Sequence, residues 1–297
     1  MGTIKSLYVL ILLALALFVL TFSQQFATGQ SIYPLPPPSS QASMVDYPEK
    51  VKESLKNIVG ITVEIDFKTN DNHRVLGQST KATGTGFMFQ PGIFISARHI
   101  LMSGIDRLTS VGYQATFDQH GVPLSNFFSY SVIGTSDVNE QTRDFDLNLV
   151  GMGATDKFED YMVLQSSNYP LELKPIEHDD KPLNIDDIVY NAGYVHLFLL
   201  LGNSQIESPI LFDIIRKSFP GRVDAITKNL PINQRGVSVL YRIETKLEQG
   251  FSGGPILNSE GKVVAITILR NDNFLYAIPI QDIKLFIEKL KKDNVIK

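Results

Sequence analysis

Gly250-Phe251-Ser252-Gly253-Gly254-Pro255 is the stretch of this 297-residue sequence that most constrains its fold and its chemistry. A serine hydroxyl becomes an effective nucleophile when a neighbouring base removes its proton. Glycines on both sides of Ser252 permit a sharp turn and a close approach of the backbone to a bound carbonyl group. In such a turn the N–H groups of Gly250 and Ser252 can point to one position, where they would stabilise an oxyanion. The alternative interpretation is an ordinary glycine-rich turn before a strand.

The candidate base is His99, which follows an apolar segment, residues 93–97, with the composition of a short strand. Histidine is the usual general base because its pKa lies near neutral pH. A lone histidine at a strand end is more often structural, so His99 is a candidate base only in combination with Ser252. The other four of the five histidines lack the spacing of metal ligands, so the sequence predicts neither a metal site nor a cofactor.

The candidate acid is Asp146, which directly precedes the apolar run Leu147-Asn148-Leu149-Val150. An acid at the start of an apolar strand can lie partly buried, accept the second ring N–H of a histidine and fix its tautomer. Asp144 is the competing candidate, and Asp146 is preferred because it abuts the apolar run. The plain alternative is an aspartate exposed to water at a strand start. The order His, Asp, Ser is that of the chymotrypsin type, and it disfavours an esterase of the α/β-hydrolase type.

Most of the chain has the pattern of β-structure. Apolar and polar residues alternate from residue 61 to residue 67, and further short strand candidates follow at intervals that indicate a sandwich or barrels. Residues 281–292 have the apolar periodicity of a final helix. A second helix is predicted over residues 209–219, after Ser208 as its N-cap and before Pro220-Gly221.

These motifs resemble the trypsin-like serine proteases, and most closely the protease domain of the HtrA (Deg) type, over about residues 59–280. The resemblance implies a mainly β fold of two six-stranded antiparallel barrels, with a C-terminal helix and the active site in the cleft between them. It is carried by Gly84-Thr85-Gly86-Phe87, Ser96-Ala97-Arg98-His99, Asp146-Leu147-Asn148-Leu149 and Gly250 to Pro255.

The same resemblance implies roles for single residues. His99 and Asp146 would come from the first barrel and Ser252 from the second, with Gly250 and Ser252 forming the oxyanion hole. Thr267 would lie on the strand that pairs with the substrate backbone, and Lys246 near the base of the specificity pocket.

The sequence also departs from the family. Phe251 stands where a small polar residue is usual. Residues 194–220 form an insertion in the second half that contains the predicted helix. The apolar face of that helix would either pack on the second barrel or act as a lid or subunit contact. No peptide-binding PDZ domain is expected after the final helix.

The N-terminal region is expected to direct export. Residues 1–29 contain a long apolar run with one charged residue, Lys5, and have the pattern of a signal peptide or a retained membrane anchor. Residues 30–47 are a proline-rich linker, and residues 48–297 would be the protease domain, with barrels over about 48–165 and 166–280. The chain has no cysteine, which favours a prokaryotic exported protein, either secreted or held at the extracytoplasmic face of a membrane.

The charge balance limits the partners. With 27 basic and 31 acidic residues, the net charge is −4, so the chain has no basic footprint for nucleic acid. The expected function is a serine endopeptidase that forms an acyl-enzyme and acts on exported or misfolded polypeptides. The alternative is a trypsin-fold scaffold or binding protein with weak or no catalysis.

Overall fold

The computed structural model describes residues 47–68, 74–110, 115–125, 127–138, 141–154, 159–199, 210–227, 239–245, 250–271 and 274–297. The predicted targeting segment and all of the linker before Tyr47 lie outside the described residues, as does Lys246. Within the described ranges, no helix is both long enough and apolar enough to cross a membrane.

The first half of the domain forms a closed barrel in the order β1-β2-β3-β8-β7-β6. Its elements, in chain order, are α1 (Glu49–Leu55), β1 (Ile58–Lys68), β2 (Arg74–Gln90), β3 (Ile93–Ser96), α2 (His99–Ser110), β4 (Thr116–Phe117), β5 (Pro123–Leu124), β6 (Phe128–Val138), β7 (Gln141–Met152) and β8 (Met162–Gln165). The short strands β4 and β5 pair with each other outside the barrel.

The second half forms another closed barrel in the order β10-β11-β14-β13-β12-β9. Its elements are β9 (Ile188–Leu199), β10 (Ile210–Thr227), β11 (Leu240–Thr245), β12 (Pro255–Leu257), β13 (Val263–Asn271), β14 (Phe274–Pro279) and the terminal helix α3 (Ile280–Lys292). The prediction of two six-stranded antiparallel barrels with a C-terminal helix is therefore confirmed.

Alternation along the strands explains the core. Ile61, Val63 and Ile65 of β1 are each at most 1% exposed, because successive side chains of a strand point to opposite faces and this set points into the barrel. The helix α3 buries Ile283 on its apolar face. Its Phe286 ring lies 5.3 Å from that of Tyr161, between ring centroids, so the helix from the end of the chain also packs on the first barrel.

The predicted helix over residues 209–219 is wrong from Ile210 onward, because those residues belong to β10. This strand pairs with β9 from Ile210↔Leu199 to Arg222↔Ile188, with one bulge. Pairing with the preceding strand gives the backbone hydrogen-bond partners along one edge of the segment, and its isoleucines suit a pleated surface. The local periodicity that favoured a helix is thus overridden by a long hairpin. Ser208 and Pro209 lie outside the described residues.

Candidate active site

Antiparallel pairing of β3 and β8 brings His99 to an aspartate that the sequence patterns did not single out. Ser96, the last residue of β3, is opposite Met162, the first residue of β8. His99 lies three residues after Ser96, and Asp160 lies two residues before Met162. The end of one strand and the start of its antiparallel neighbour meet at the same rim of the barrel, so both side chains project from that rim.

The Asp160 carboxylate is bonded to His99 twice. Its Oδ2 lies 2.7 Å from His99 Nδ1, and its Oδ1 accepts the backbone N–H of His99 at 2.8 Å. Because an ionised carboxylate only accepts hydrogen bonds, this contact favours the tautomer of the neutral ring that carries its proton on Nδ1, in which Nε2 is an acceptor. The His99 side chain is 42% exposed, so Nε2 belongs to a side chain that solvent or a substrate can reach.

Asp146, which the sequence predicted to orient His99, is not the aspartate that contacts His99 in the structure. Asn148 of β7 is opposite Gln165, the last residue of β8, so Asp146 lies beyond the far end of β8. If this pairing continued, Asp146 would be opposite residue 167, which lies seven residues after Asp160. At a rise of about 3.3 Å per residue, the two aspartates are therefore about 20 Å apart along the strand direction. Asp146 is exposed and lines a separate polar cavity of about 550 Å³. Asp144 instead accepts a hydrogen bond from Thr135 Oγ1 at 2.7 Å.

The sequence did contain a signal for Asp160. Asp160-Tyr161-Met162-Val163-Leu164 is an acid followed by an apolar run, the same pattern that favoured Asp146. Residues 161–164 are all buried, each at most 2% exposed. The four-residue strand β8 was not predicted. Asp160 was therefore not recognised as an acid at the start of a strand.

Ser252 lies in a turn whose backbone requires glycine on either side. Gly250 has φ +104° and Gly253 has φ +82°, both in the region that side chains disfavour. A Cβ built on Gly253 would lie 2.4 Å from Ala97 N and 2.4 Å from Thr85 O. The glycine therefore lets the serine turn pack directly against the segment that leads to His99.

A second glycine contact joins the same two regions. A Cβ built on Gly84 would lie 2.8 Å from Ser252 O and 2.2 Å from the Ile100 side chain, the residue after His99. The structure thus brings the serine turn of the second barrel to the His99 segment of the first. Among the described residues no hydrogen bond joins Ser252 Oγ to His99, and such contacts commonly tighten only when substrate is bound.

Thr85 holds the serine turn in place. Its N–H donates to Ser252 O at 2.8 Å, and its hydroxyl donates to Gly250 O at 2.7 Å. The same hydroxyl accepts the backbone N–H of Tyr194 at 2.8 Å. Thr85 is fully buried, so one side chain of the first barrel ties two segments of the second.

The N–H groups of Gly250 and Ser252 have no hydrogen-bond acceptor within the part of the chain that the structure describes. The turn uses other amides for its own closure: Gly254 N donates to Phe251 O at 2.9 Å, and Gly253 N donates to Thr267 O at 2.7 Å. The two amides predicted for the oxyanion hole are therefore not used in closing the turn.

Thr267 lies on β13 directly beside the serine turn. Its N–H donates to Gly254 O at 2.9 Å, and its hydroxyl donates to Asn191 Oδ1 at 3.0 Å. Thr267 is 4% exposed. These contacts fix the start of the strand segment that was predicted to pair with substrate.

Phe251 has a structural explanation. Its side chain is 2% exposed and stacks on Phe219 of β10, with ring centroids 5.7 Å apart. A Cβ on Gly193 would lie 2.6 Å from the Phe251 ring. The residue before the serine therefore points into the second barrel and anchors the turn there by apolar packing.

Comparison with known proteins agrees with this architecture. The trypsin-like peptidase domain family matches residues 84–266, and the chain belongs to that family. HtrA-like serine proteases of two Staphylococcus epidermidis strains are each 21% identical over 193 residues. The match covers 61% of this chain and 31% of each relative, so the chain spans about a third of the length of the curated relatives it matches.

Two solved structures are also similar. The active form of the Rv3671c protease from M. tuberculosis is 15% identical with a TM-score of 0.49, over 82% of this chain and 84% of that chain. Deg5 is 18% identical with a TM-score of 0.49, over 80% of this chain and 90% of that chain.

Proposed function

We propose that this protein is a serine endopeptidase in which Ser252 is the nucleophile, His99 the general base and Asp160 the acid that orients His99. The observation that carries the proposal is the doubly bonded His99–Asp160 pair beside a glycine-flanked serine turn. This pair holds the imidazole with Nε2 as acceptor, which is the state that a base needs before it can take the proton of a hydroxyl.

The reaction then proceeds by acyl transfer. Ser252 Oγ attacks the scissile carbonyl carbon while His99 Nε2 takes its proton, and Asp160 stabilises the imidazolium. The N–H groups of Gly250 and Ser252 bond the oxyanion. When the C–N bond breaks, His99 donates its proton to the leaving amine, and the acyl group remains on Ser252. Water then repeats the sequence and releases a carboxylic acid.

The edge of β13 supports an extended polypeptide as substrate. Pairing of β12 with β13 ends at Pro255↔Ile266, whereas β14 pairs with β13 as far as Asn271. In the described part of the chain, β13 therefore has one edge without a partner strand after Thr267. Leu269 on this stretch is 60% exposed. An extended peptide can add to such an edge through main-chain hydrogen bonds.

Exported or misfolded polypeptides are the substrates that we propose, from the predicted export segment and the HtrA-like relatives. The alternative is a scaffold that retains the fold with little catalysis, since Ser252 Oγ makes no hydrogen bond to His99 in the described residues.

Digestion of casein by the purified protein and by its Ser252→Ala variant tests the proposal. We expect cleavage by the wild-type protein and none by the variant, at equal circular dichroism and Tm. Equal casein cleavage by both preparations, after removal of contaminants, would refute the assignment of Ser252. If the wild-type protein neither cleaved casein nor reacted at Ser252 with a serine-directed phosphonate, the scaffold alternative would be favoured.

A further inference from the structure

A cavity of about 540 Å³ lies beside the His99–Asp160 pair and is not used by the proposed reaction. Arg98 and Glu159, the chain neighbours of His99 and Asp160, both line it. The opposite wall includes Leu285 of α3. Its volume lies within the range of small-molecule sites.

Arg98 brings a buried cation to this cavity. It is 8% exposed, and its guanidinium makes no hydrogen bond or ion pair within the residues that the structure describes. Asp160 and Asp106 attract it at longer range, but burial is the larger influence and lowers the pKa of Arg98. An arginine remains charged at neutral pH even so. A buried charge without a contact partner is costly, and a bound anion would relieve that cost.

His120 brings a second polar group without a partner. It is 9% exposed, and its Nδ1 has no hydrogen-bond partner. The nearest carboxylate oxygen, Asp293 Oδ2, is 3.9 Å from Nδ1. The Gln119 amide nitrogen lies 3.1 Å from His120 Nε2. His120 thus lines the cavity with a ring whose Nδ1 is itself shielded from solvent.

The acids of the cavity wall are already bonded elsewhere. Asp118 Oδ1 accepts two backbone N–H groups, at 2.8 and 2.9 Å. Glu159 Oε2 accepts another at 2.8 Å, and Asp282 has a contact of its own. None of the three forms an ion pair with Arg98 in the described part of the chain, so the guanidinium remains available to a ligand.

Lys289 of α3 also lines the cavity, and much of the remaining wall is apolar. Phe117 is 42% exposed and Leu285 is 60% exposed at the rim, and Met152 and Phe286 lie deeper. We propose that this cavity binds a small organic carboxylate with a short aliphatic chain, its carboxylate on Arg98 and its chain against the apolar wall. Arginine and carboxylate match in geometry as well as in charge.

Isothermal titration calorimetry of the full chain with octanoate and with octanamide tests the site. The two probes share the aliphatic chain and differ in charge, so we expect octanoate to bind at least tenfold more tightly. Arg98→Met keeps the side-chain length and removes the charge, and should weaken octanoate binding at least tenfold. Lys174→Met, which removes an exposed lysine outside the cavity, is the matched control and should bind as the wild type does.

Leu285→Asp keeps the test decisive if Arg98→Met fails to fold. Its side chain is largely exposed, so the fold should tolerate the change, while the new charge should repel octanoate and weaken binding at least tenfold. Equal affinity for octanoate and octanamide, absence of octanoate binding, or unchanged binding in Leu285→Asp would overturn the proposal. Heat release does not depend on catalysis, so these outcomes are independent of whether the protein cleaves peptides.

The carboxylate could belong to a free aliphatic acid or to the C-terminus of a short apolar peptide. Competition in the Ser252→Ala variant separates these sources. Displacement of octanoate by acetyl-dileucine, but not by its amide, supports the peptide terminus as ligand. Failure of both to displace bound octanoate supports the free acid.

Discussion

Replacing Asp160 by asparagine tests the pairing that distinguishes this site from its sequence-based prediction. The side-chain carbonyl of the new asparagine would still accept the backbone N–H of His99, which Asp160 Oδ1 now accepts at 2.8 Å. The amide NH₂ would replace Oδ2 at 2.7 Å from Nδ1. Because that group donates, Nδ1 would have to accept, and the ring proton would move to Nε2. His99 would then be unable to take the proton of Ser252.

The expected loss is large and confined to catalysis. In a serine protease the same aspartate-to-asparagine change lowers kcat by about 10⁴-fold, which corresponds to about 5.4 kcal/mol at about 1.36 kcal/mol per tenfold. Loss of one charge-assisted hydrogen bond at a partly exposed position should lower the free energy of unfolding by about 1–2 kcal/mol. The fold should therefore persist while turnover falls.

The assay is kcat/KM for a peptide substrate, with urea unfolding of the same preparations. Asp146→Asn is the matched control, since it makes the same chemical change at an exposed aspartate of the same barrel, and its kcat/KM should stay within about twofold of wild type. If Asp146→Asn were the severely impaired variant and Asp160→Asn nearly normal, the assignment of the acid would be refuted.

Three further substitutions examine how the serine turn is held. Thr85→Val keeps the side-chain shape but leaves Gly250 O and Tyr194 N without a partner; we expect a loss of about 1–3 kcal/mol in urea unfolding and a lower kcat, and unchanged values would contradict the role of the hydroxyl. Gly253→Ala should prevent soluble folding or abolish activity, since its Cβ would overlap Ala97 N; a stable, active variant would show that the turn is not packed as described. Phe251→Ala should lower the free energy of unfolding by about 3–5 kcal/mol, measured in the same way, and a loss below about 1 kcal/mol would contradict its burial.

Much of the barrel architecture was open to prediction because it depends on local patterns. The alternation along β1 and the glycines around Ser252 are features of short segments, and both correspond to what the structure shows in the described residues. The motif at His99 also marks the end of β3, where the prediction placed it. At these positions the residue types and their spacing are enough to predict the local structure.

The acid and the hairpin depend instead on which strands become neighbours. Asp146 and Asp160 are each followed by an apolar run, and only the register of β8 against β3 determines which of them meets His99. Residues 210–219 have a helical apolar spacing, but pairing with β9 fixes them as a strand. Such tertiary pairings are not encoded in the periodicity of a single segment, so the sequence predicted a helix where the structure has a strand and singled out Asp146 rather than the aspartate that contacts His99.

Labelling with a serine-directed phosphonate, followed by peptide mass spectrometry, would show whether the His99–Asp160 pair activates Ser252. The proposed triad predicts one covalent adduct, on Ser252, in the wild-type protein. It predicts labelling at least a hundredfold slower in Asp160→Asn, at a rate close to wild type in Asp146→Asn, and absent in Ser252→Ala. No adduct on Ser252 of a folded wild-type protein, or a Ser252 labelling rate that does not change in Asp160→Asn, would contradict it.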